Sequence, residues 1–165
     1  MNLNSPVARR VRNALFVGIF LCVTCTPHGG FWAFVLLPLF VCSWLFDLFA
    51  MLRGPEQRAR RAERVLTWML AFCVTGAVNL YWFRESRAYA NNVVSAVLDY
   101  RAHTGFYPTD LQQAGIRPER AFDKWMLVYG KSADGRPGVS YAVPYIAFDM
   151  YDYDFDTGQW LYLPD

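Results

Sequence analysis

A long stretch in the first half of this 165-residue chain, residues 13–52, has almost no charge. Between Arg12 and Arg53 the only acidic or basic residue is Asp47. This lack of charge excludes a soluble domain in the stretch, because a water-facing surface alternates polar with apolar residues. The stretch is also far longer than the about 20 residues that cross a hydrocarbon core of roughly 30 Å once. It therefore predicts membrane helices that turn back on themselves.

Sequence signatures of catalysis are also missing. The chain has no glycine-rich phosphate loop, no zinc-ligand spacing and no pair of catalytic carboxylates. The two histidines, His28 and His103, are far apart in sequence and have no nucleophile motif near them. Residues 84–165 contain no Cys, so a disulfide framework is excluded for that part. We expect a protein that is not an enzyme and needs no cofactor.

The apolar first half of the chain predicts three membrane spans. Pro27 and the paired Gly29 and Gly30 break the first apolar run, since Pro removes a backbone donor and paired Gly resists helix formation. The predicted spans cover residues 7–26, 31–52 and 65–83. The first is the weakest, because its apolar run is short and follows a basic segment, as in a cleavable signal peptide.

Arginines set the predicted orientation. They precede the first span and fill the loop between the second and third spans, whereas the turn at residues 27–30 has no Lys or Arg. Lys and Arg in short loops stay in the cytoplasm, so the N-terminus is predicted inside. Residues 84–165 are then periplasmic, and the protein lies in a bacterial inner membrane. Anionic lipid headgroups are the expected partner of the arginine-rich loop, and no nucleic acid is expected.

The remaining residues predict a small α+β domain. Apolar residues spaced three and four apart at residues 90–100 form one helical stripe, so the third span continues as a helix to about residue 103. Gly105 is placed to end that helix. A short helical turn follows at residues 109–114, with Thr109 or Asp110 as its cap. Period-two patterns then predict antiparallel strands at residues 125–130, 139–146, 148–155 and 160–163, with Pro144 at an edge or a bulge.

The predicted fold class is membrane α plus α+β, with three transmembrane helices and a long helix packed on a small antiparallel sheet. The predicted units are three. They are a transmembrane hairpin with its cytoplasmic loop at residues 1–64, the third transmembrane helix at 65–83 and a periplasmic domain at 84–165.

Two segments of the predicted domain carry a resemblance to a known family. They are ANNVVSAVLDY at residues 90–100 and TGFYPTDL at residues 104–111. Together they resemble the helix end and the Gly-x-Tyr-Pro-x-x-Leu turn of type IV pilins and type II secretion pseudopilins. The resemblance covers about residues 65–165. It implies a sheet packed on the helix, with Tyr107 and Pro108 anchoring the turn.

The chain also departs from the pilin pattern. Two extra spans come first, and neither the Gly of the prepilin peptidase site nor the Glu five residues later is present before Val65. Such a chain is not processed and extracted into a filament in the usual way. The resemblance therefore implies a permanently anchored pilin-like domain that meets true pilins or another envelope partner.

Three groups of residues are candidates for chemistry. Cys22 and Cys25 have a Cys-x-x-Cys spacing, which fits either thiol exchange or small apolar residues in a packed helix. Asp47 is an ionisable residue in a span, and it fits either a transport role or a pairing with a neighbour. The third group is an acidic repeat late in the chain, formed by Asp152, Asp154 and Asp156.

The acidic repeat resembles the opening of a calcium loop. Its Gly falls at the seventh position instead of the sixth, and Leu163 stands where a bidentate Glu belongs. A strand with Tyr151 and Tyr153 turned inward explains the same alternation. The repeat is thus a weak calcium candidate, a contact for a basic partner, or a solvated acidic face.

Three functional hypotheses follow. The first is a non-enzymatic inner-membrane protein whose pilin-like periplasmic domain makes protein contacts as an accessory to pilus or type II secretion assembly. The second is a membrane thiol oxidoreductase that uses Cys22 and Cys25. The third is an envelope immunity protein against a periplasm-acting toxin. For the first hypothesis, the predicted contact residues are Tyr151, Asp152, Asp154, Asp156 and Trp160.

Overall fold

In a computed structural model the chain is described at residues 6–54, 58–131, 135–143 and 149–164. It forms two compact units, Met1–Asn79 and Leu80–Asp165, and one long helix contributes to both. In chain order the elements are α1 Pro6–Thr24, α2 Gly30–Arg53, α3 Arg58–Thr104, α4 Pro118–Trp125, β1 Val128–Lys131, β2 Pro137–Ala142, β3 Met150–Asp154 and β4 Gln159–Leu163. Long helices with a four-stranded antiparallel sheet confirm the predicted α+β layout.

The break between α1 and α2 falls where Pro27 and the two glycines predicted it. The Thr26 hydroxyl donates to the Val23 carbonyl at 2.9 Å and tightens the end of α1. A Cβ at Gly29 would lie 2.0 Å from that same carbonyl oxygen. Only glycine permits so close an approach of two backbone segments, so this turn depends on Gly29.

Two of the three long helices, α2 and α3, are long and apolar enough to cross a membrane. The first helix, α1, is not among them. It begins with Arg9, Arg10 and Arg12, and the uncharged part that remains is shorter than the about 20 residues a span needs. Of the three predicted transmembrane helices, the structure therefore supports two as candidates, α2 and α3.

In the second unit, α3 continues without a break and packs one stripe on the sheet. Ala90, Val93 and Val97 on this stripe are fully buried, as are Val139 and Tyr141 of β2 on the opposite side of the core. The predicted stripe at residues 90–100 is thus the face that the helix buries. Burying side chains of this size contributes about 1.5–3 kcal/mol each.

The sheet is a simple antiparallel meander in the order β1-β2-β3-β4. Its register places Tyr141, Tyr151 and Tyr162 in one cross-strand row. The Tyr141 and Tyr151 rings stack with centroids 5.5 Å apart. Val139, Tyr153 and Trp160 form a second row two residues along each strand. Because side chains alternate between the two faces of a sheet, both rows lie on the same face, which is the one packed against α3.

The prediction of a strand over residues 125–130 is wrong in its first half. Residues Pro118–Trp125 form α4, and β1 begins at Val128. Ala121 and Trp125 are one turn apart and both buried, so their packing on the core favours a helix here. Pro118 at the first helical position is the sequence signal that indicates this helix.

The other local predictions have mixed outcomes. Residues 111–115 form a hydrogen-bonded turn, where a short helical turn was predicted at residues 109–114. Asp110 is nevertheless a cap, because its carboxylate accepts from the Gln113 amide at 3.1 Å, and the Gln113 side chain accepts from the Thr109 amide at 2.8 Å. Pro144 lies outside the described residues.

The turn at Tyr107 and Pro108 is held on the sheet. Pro108 is fully buried, and its carbonyl accepts from the Tyr129 hydroxyl at 2.7 Å. The Lys131 ammonium donates to the Tyr107 carbonyl at 2.8 Å. The Tyr107 ring contacts the Phe155 ring at 5.5 Å between centroids. These contacts join the end of α3 to β1 and to the end of β3.

Gly105 ends α3 in the left-handed conformation, with φ +80° and its amide donating to the Arg101 carbonyl at 2.8 Å. We expect Gly105→Val to lower the free energy of unfolding by about 1–2 kcal/mol, because a β-branched residue resists positive φ. Thermal unfolding of the full chain measures this loss. Gly130→Val in β1 is the control, since neither Cβ would contact anything and Gly130 lacks a positive φ. Equal melting temperatures for the two variants would contradict the assignment.

Burial of Tyr129, with smaller effects from Tyr107 and Asp110, raises the pKa of its hydroxyl from 10.0 to about 12. The folded state therefore holds this proton more tightly than the unfolded state. The resulting stabilisation is complete below pH 10 and is lost as pH rises through about 12. In alkaline urea titrations the wild type should lose stability more steeply between those limits than Tyr129→Phe. Parallel losses in the two proteins would show that the hydroxyl titrates normally.

Candidate functional site

The Asp47 carboxylate is the centre of a charged cluster in the first unit. Asp47 lies in α2 and is fully buried. One of its oxygens accepts from Arg61 at 3.0 Å, and the other accepts from the Arg64 Nε at 2.9 Å. Both arginines belong to α3 and remain partly exposed. Of the two roles predicted for Asp47, the structure provides the pairing with neighbours.

The other buried polar groups of this unit also join helices. The Thr24 hydroxyl lies 2.9 Å from the Thr75 hydroxyl, and the Asn79 amide donates to the Thr24 carbonyl at 3.0 Å. All three residues are buried. Nearer the other end of α1, the Trp68 indole donates to the Asn13 side chain at 3.2 Å. Hydrogen bonds thus connect α1 to α3 at two levels.

The surface of the first unit is apolar, although polar side chains are buried inside it. Phe34, Leu39 and Phe46 on α2 are each about 70% exposed. A water-soluble helix hairpin would bury such side chains and expose its Asp and Thr. The reversed arrangement is typical of helices in lipid, where polar residues turn to the bundle interior and hydrogen-bond across helices.

The predicted redox pair is split between two environments. Cys22 is exposed on α1, and Cys25 is half-buried just beyond the end of that helix. Cys42 and Cys73 are also exposed, and none of these four described cysteines forms a disulfide.

Each carboxylate of the acidic repeat has its own protein partner. Asp152 accepts from the Ser140 hydroxyl at 2.8 Å. Asp154 accepts from the Asp156 amide at 2.8 Å and from the Thr157 hydroxyl at 2.7 Å, so it holds the turn between β3 and β4. The exposed Asp156 lies 3.6 Å from Arg136.

The hydrogen bond from Thr157 and that from the Asp156 amide lower the pKa of Asp154 below its ordinary value of 3.8. Within the part of the chain that the structure describes, no three His, Cys, Asp or Glu side chains form a group that could hold a metal ion. The structure thus assigns the repeat to local hydrogen bonds.

Tyr151 and Trp160, predicted as contact residues, turn toward α3. Arg87 of α3 lies over both rings, 5.2 Å from the Tyr151 centroid and 5.0 Å from the Trp160 centroid. The same guanidinium donates to the Tyr141 hydroxyl at 3.2 Å. The Trp160 indole donates to the Asn91 side chain at 2.9 Å. These two aromatic residues mainly hold the sheet on the helix.

The opposite face of the sheet carries an apolar surface that the sequence analysis missed. In the observed register, Val128, Ser140, Asp152 and Leu161 form one row across the four strands. Leu163 lies in the next row, opposite Met150. Val128, Leu161 and Leu163 are each about half exposed, and no described element covers them. We call these six residues the outer sheet face.

The sequence contained a signal for this face. The last strand reads Trp-Leu-Tyr-Leu at residues 160–163, with apolar residues on both sides of the alternation, whereas a one-sided sheet alternates apolar with polar. β4 is also an edge strand of the described sheet and carries no charge. Uncharged edge strands are sites where a further strand can pair.

Comparison with protein-family models, curated proteins and solved structures finds no significant match to the chain. The proposal for its function therefore rests on its own residues: the buried Asp47 cluster, the apolar surface of the first unit and the outer sheet face of the second.

We expect Asp47→Asn to destabilise the first unit by about 2 kcal/mol or more, because hydrogen bonds to a charged group are lost from a buried site. Resistance of the detergent-solubilised chain to thermal unfolding measures the loss. Glu63→Gln is the matched control, since its pair with Arg10 is exposed and such pairs contribute at most about 1 kcal/mol. An Asp47→Asn variant as stable as Glu63→Gln would contradict a structural role for the cluster.

Proposed function

We propose that this chain is a non-enzymatic protein of the bacterial inner membrane that displays a pilin-like periplasmic domain for contacts with other envelope proteins. Its three helices α1, α2 and α3 cross the membrane, with the N-terminus in the cytoplasm. The contacts serve the assembly of a type IV pilus or a type II secretion system.

The membrane part of the proposal is supported by the inverted distribution of polarity in the first unit. Asp47, Thr24 and Thr75 are buried, while large apolar side chains cover the surface. The three arginines at the start of α1 support an orientation with that end in the cytoplasm. In this reading α1 crosses with its arginines at the headgroups, where long basic side chains reach water.

The pilin-like part is supported by the path of the chain after the apolar segment. α3 continues into the second unit, packs its apolar stripe on an antiparallel sheet and ends at Gly105. The next residues, Tyr107 and Pro108, are held on the sheet by Lys131 and Tyr129. This arrangement agrees with what the resemblance to pilins and pseudopilins implies.

The single observation that carries the contact role is the outer sheet face. Three half-exposed apolar residues stand on one face of a small domain, and Asp152 lies among them. Leu161 and Leu163 of β4 are neighbours on this face, next to Met150, whereas Val128 stands across Ser140 and Asp152. Exposed apolar side chains that cluster on one face of a small domain mark interaction sites. The uncharged β4 edge beside this face fits a partner that adds an extended strand, with side-chain pockets on the face providing selectivity.

The test is photocrosslinking in cells with a photoreactive residue at Leu161. The control position is Gln112, which is exposed in the turn at residues 111–115, away from the sheet. We expect Leu161 to crosslink to pilins, pseudopilins or their assembly platform, and Gln112 not to do so. In a second step the photoreactive residue stands at Leu163 and Leu161 is replaced by Asp. We expect Leu161→Asp to reduce crosslinking of the same partner at Leu163 severalfold, because the substitution places a charge in an apolar contact.

Phe106→Asp is the matched substitution for that second step, since Phe106 is 77% exposed and lies outside the outer sheet face. It should leave crosslinking at Leu163 unchanged. Recovery of thiol oxidoreductases, a toxin or only copies of this chain would contradict the assembly role and point to one of the other two hypotheses.

A further inference from the structure

A groove separates α4 from α3 in the second unit. It has a volume of about 190 Å³ and is lined by Glu85, Tyr89 and Asn92 of α3 and by Arg120, Lys124 and Trp125 of α4. Since a water molecule takes about 30 Å³ in the liquid, the groove has room for about six waters, or for a polar headgroup. Both basic side chains are exposed at its rim.

The basic residues of the groove have no acidic partner within the part of the chain that the structure describes. Among the described residues, no carboxylate lies within salt-bridge distance of Arg120 or Lys124, although Glu85 shares the groove. The Lys124 ammonium instead lies over two indole rings, 4.7 Å from the Trp125 centroid and 5.8 Å from the Trp82 centroid. The groove therefore presents two cations that are free to bind an anion.

In the membrane topology proposed above, Trp82 and the groove beside it lie at the membrane surface. α3 has no charged residue between Arg64 and Arg84, so its apolar segment ends at Phe83. Tyr81 and Trp82 are then the aromatic residues at the headgroup level, as is usual at the ends of spans. The Trp125 ring contacts the Trp82 ring at 5.9 Å between centroids, which brings the end of α4 to the same level.

We propose that the groove between α3 and α4 binds the phosphate of anionic lipid headgroups in the outer leaflet, with Arg120 and Lys124 as its ligands. Charge complementarity and the contact of Lys124 with the aromatic residue at the headgroup level favour lipid as the occupant. The proposal rests on the membrane topology proposed above. It goes beyond the contact role, because it gives the second unit a lipid partner as well as a protein one.

The test is hydrogen exchange of the full chain in lipid nanodiscs. One set of nanodiscs contains only phosphatidylcholine, and the other contains phosphatidylcholine with one quarter phosphatidylglycerol. We expect the amides of α4 to exchange about fivefold more slowly in the anionic nanodiscs, because one basic residue at such a surface contributes about that factor in affinity. Amides of β4 should not respond to the lipid composition.

Arg120→Gln/Lys124→Gln should abolish the lipid-dependent protection. The matched control is Arg117→Gln/Arg136→Gln, which removes two positive charges from the same unit outside the groove and should keep the protection. Both pairs are exposed, so the fold persists; unchanged exchange at β2 verifies this. Equal loss of protection in the two double variants would overturn the site, since only net charge would then matter.

Two further outcomes would overturn the proposal. Equal exchange of α4 in neutral and anionic nanodiscs would exclude the headgroup contact, and equal protection by inorganic phosphate in neutral nanodiscs would make the site one for free phosphate. Failure of the chain to insert into nanodiscs would instead contradict the membrane topology itself. Crosslinking at Leu161 is independent of all three results, so a failure of the protein-contact role remains distinguishable.

Discussion

The pairing of the Asp47 carboxylate with Arg61 and Arg64 is the interaction on which the first unit depends. An unpaired carboxylate in an apolar segment would cost several kcal/mol, and two guanidinium groups that keep contact with water offset this cost. The pairing also fixes which face of α2 meets α3. The buried hydrogen bonds among Thr24, Thr75 and Asn79 then fix α1 against the same helix. Apolar packing alone discriminates poorly among helix rotations when lipid is as apolar as the helices.

The second unit uses aromatic rings for the corresponding purpose. Arg87 lies over Tyr151 and Trp160 and donates to Tyr141, so one side chain of α3 is bound to three strands. The Trp125 ring contacts the rings of Trp82 and Tyr89, and these contacts pack α4 against α3. A domain of this size without disulfides has little core, and such ring contacts contribute beyond the area they bury. No element that the structure describes covers the other face of the sheet.

The predictable features were those with a strong local cause. The Gly29 turn, the buried stripe of Ala90, Val93 and Val97, and the left-handed Gly105 follow from residue type and period, and the structure confirms them. α4 was missed because eight residues are too few for a clear helical period, and the buried Ala121 and Trp125 decide its conformation through packing. The contact role of Tyr151, Asp152, Asp154, Asp156 and Trp160 stays a prediction. An alternating strand indicates two faces, but only the position of α3 determines that Tyr151 and Trp160 lie on the covered one.

The sequence by itself determined the apolar helices, the turn between the first two, the long α3, its end and the antiparallel strands. Those features depend on runs of residue types, on helical and strand periods, and on Gly and Pro, all of which act within a few residues. Only the tertiary structure decided that Asp47 pairs with two arginines, that the acidic repeat holds a turn and a neighbouring hydroxyl, and that Val128, Leu161 and Leu163 form one exposed face. Each of these features depends on contacts between side chains that are distant in sequence. Strand register and helix packing determine which of those side chains come close enough to interact.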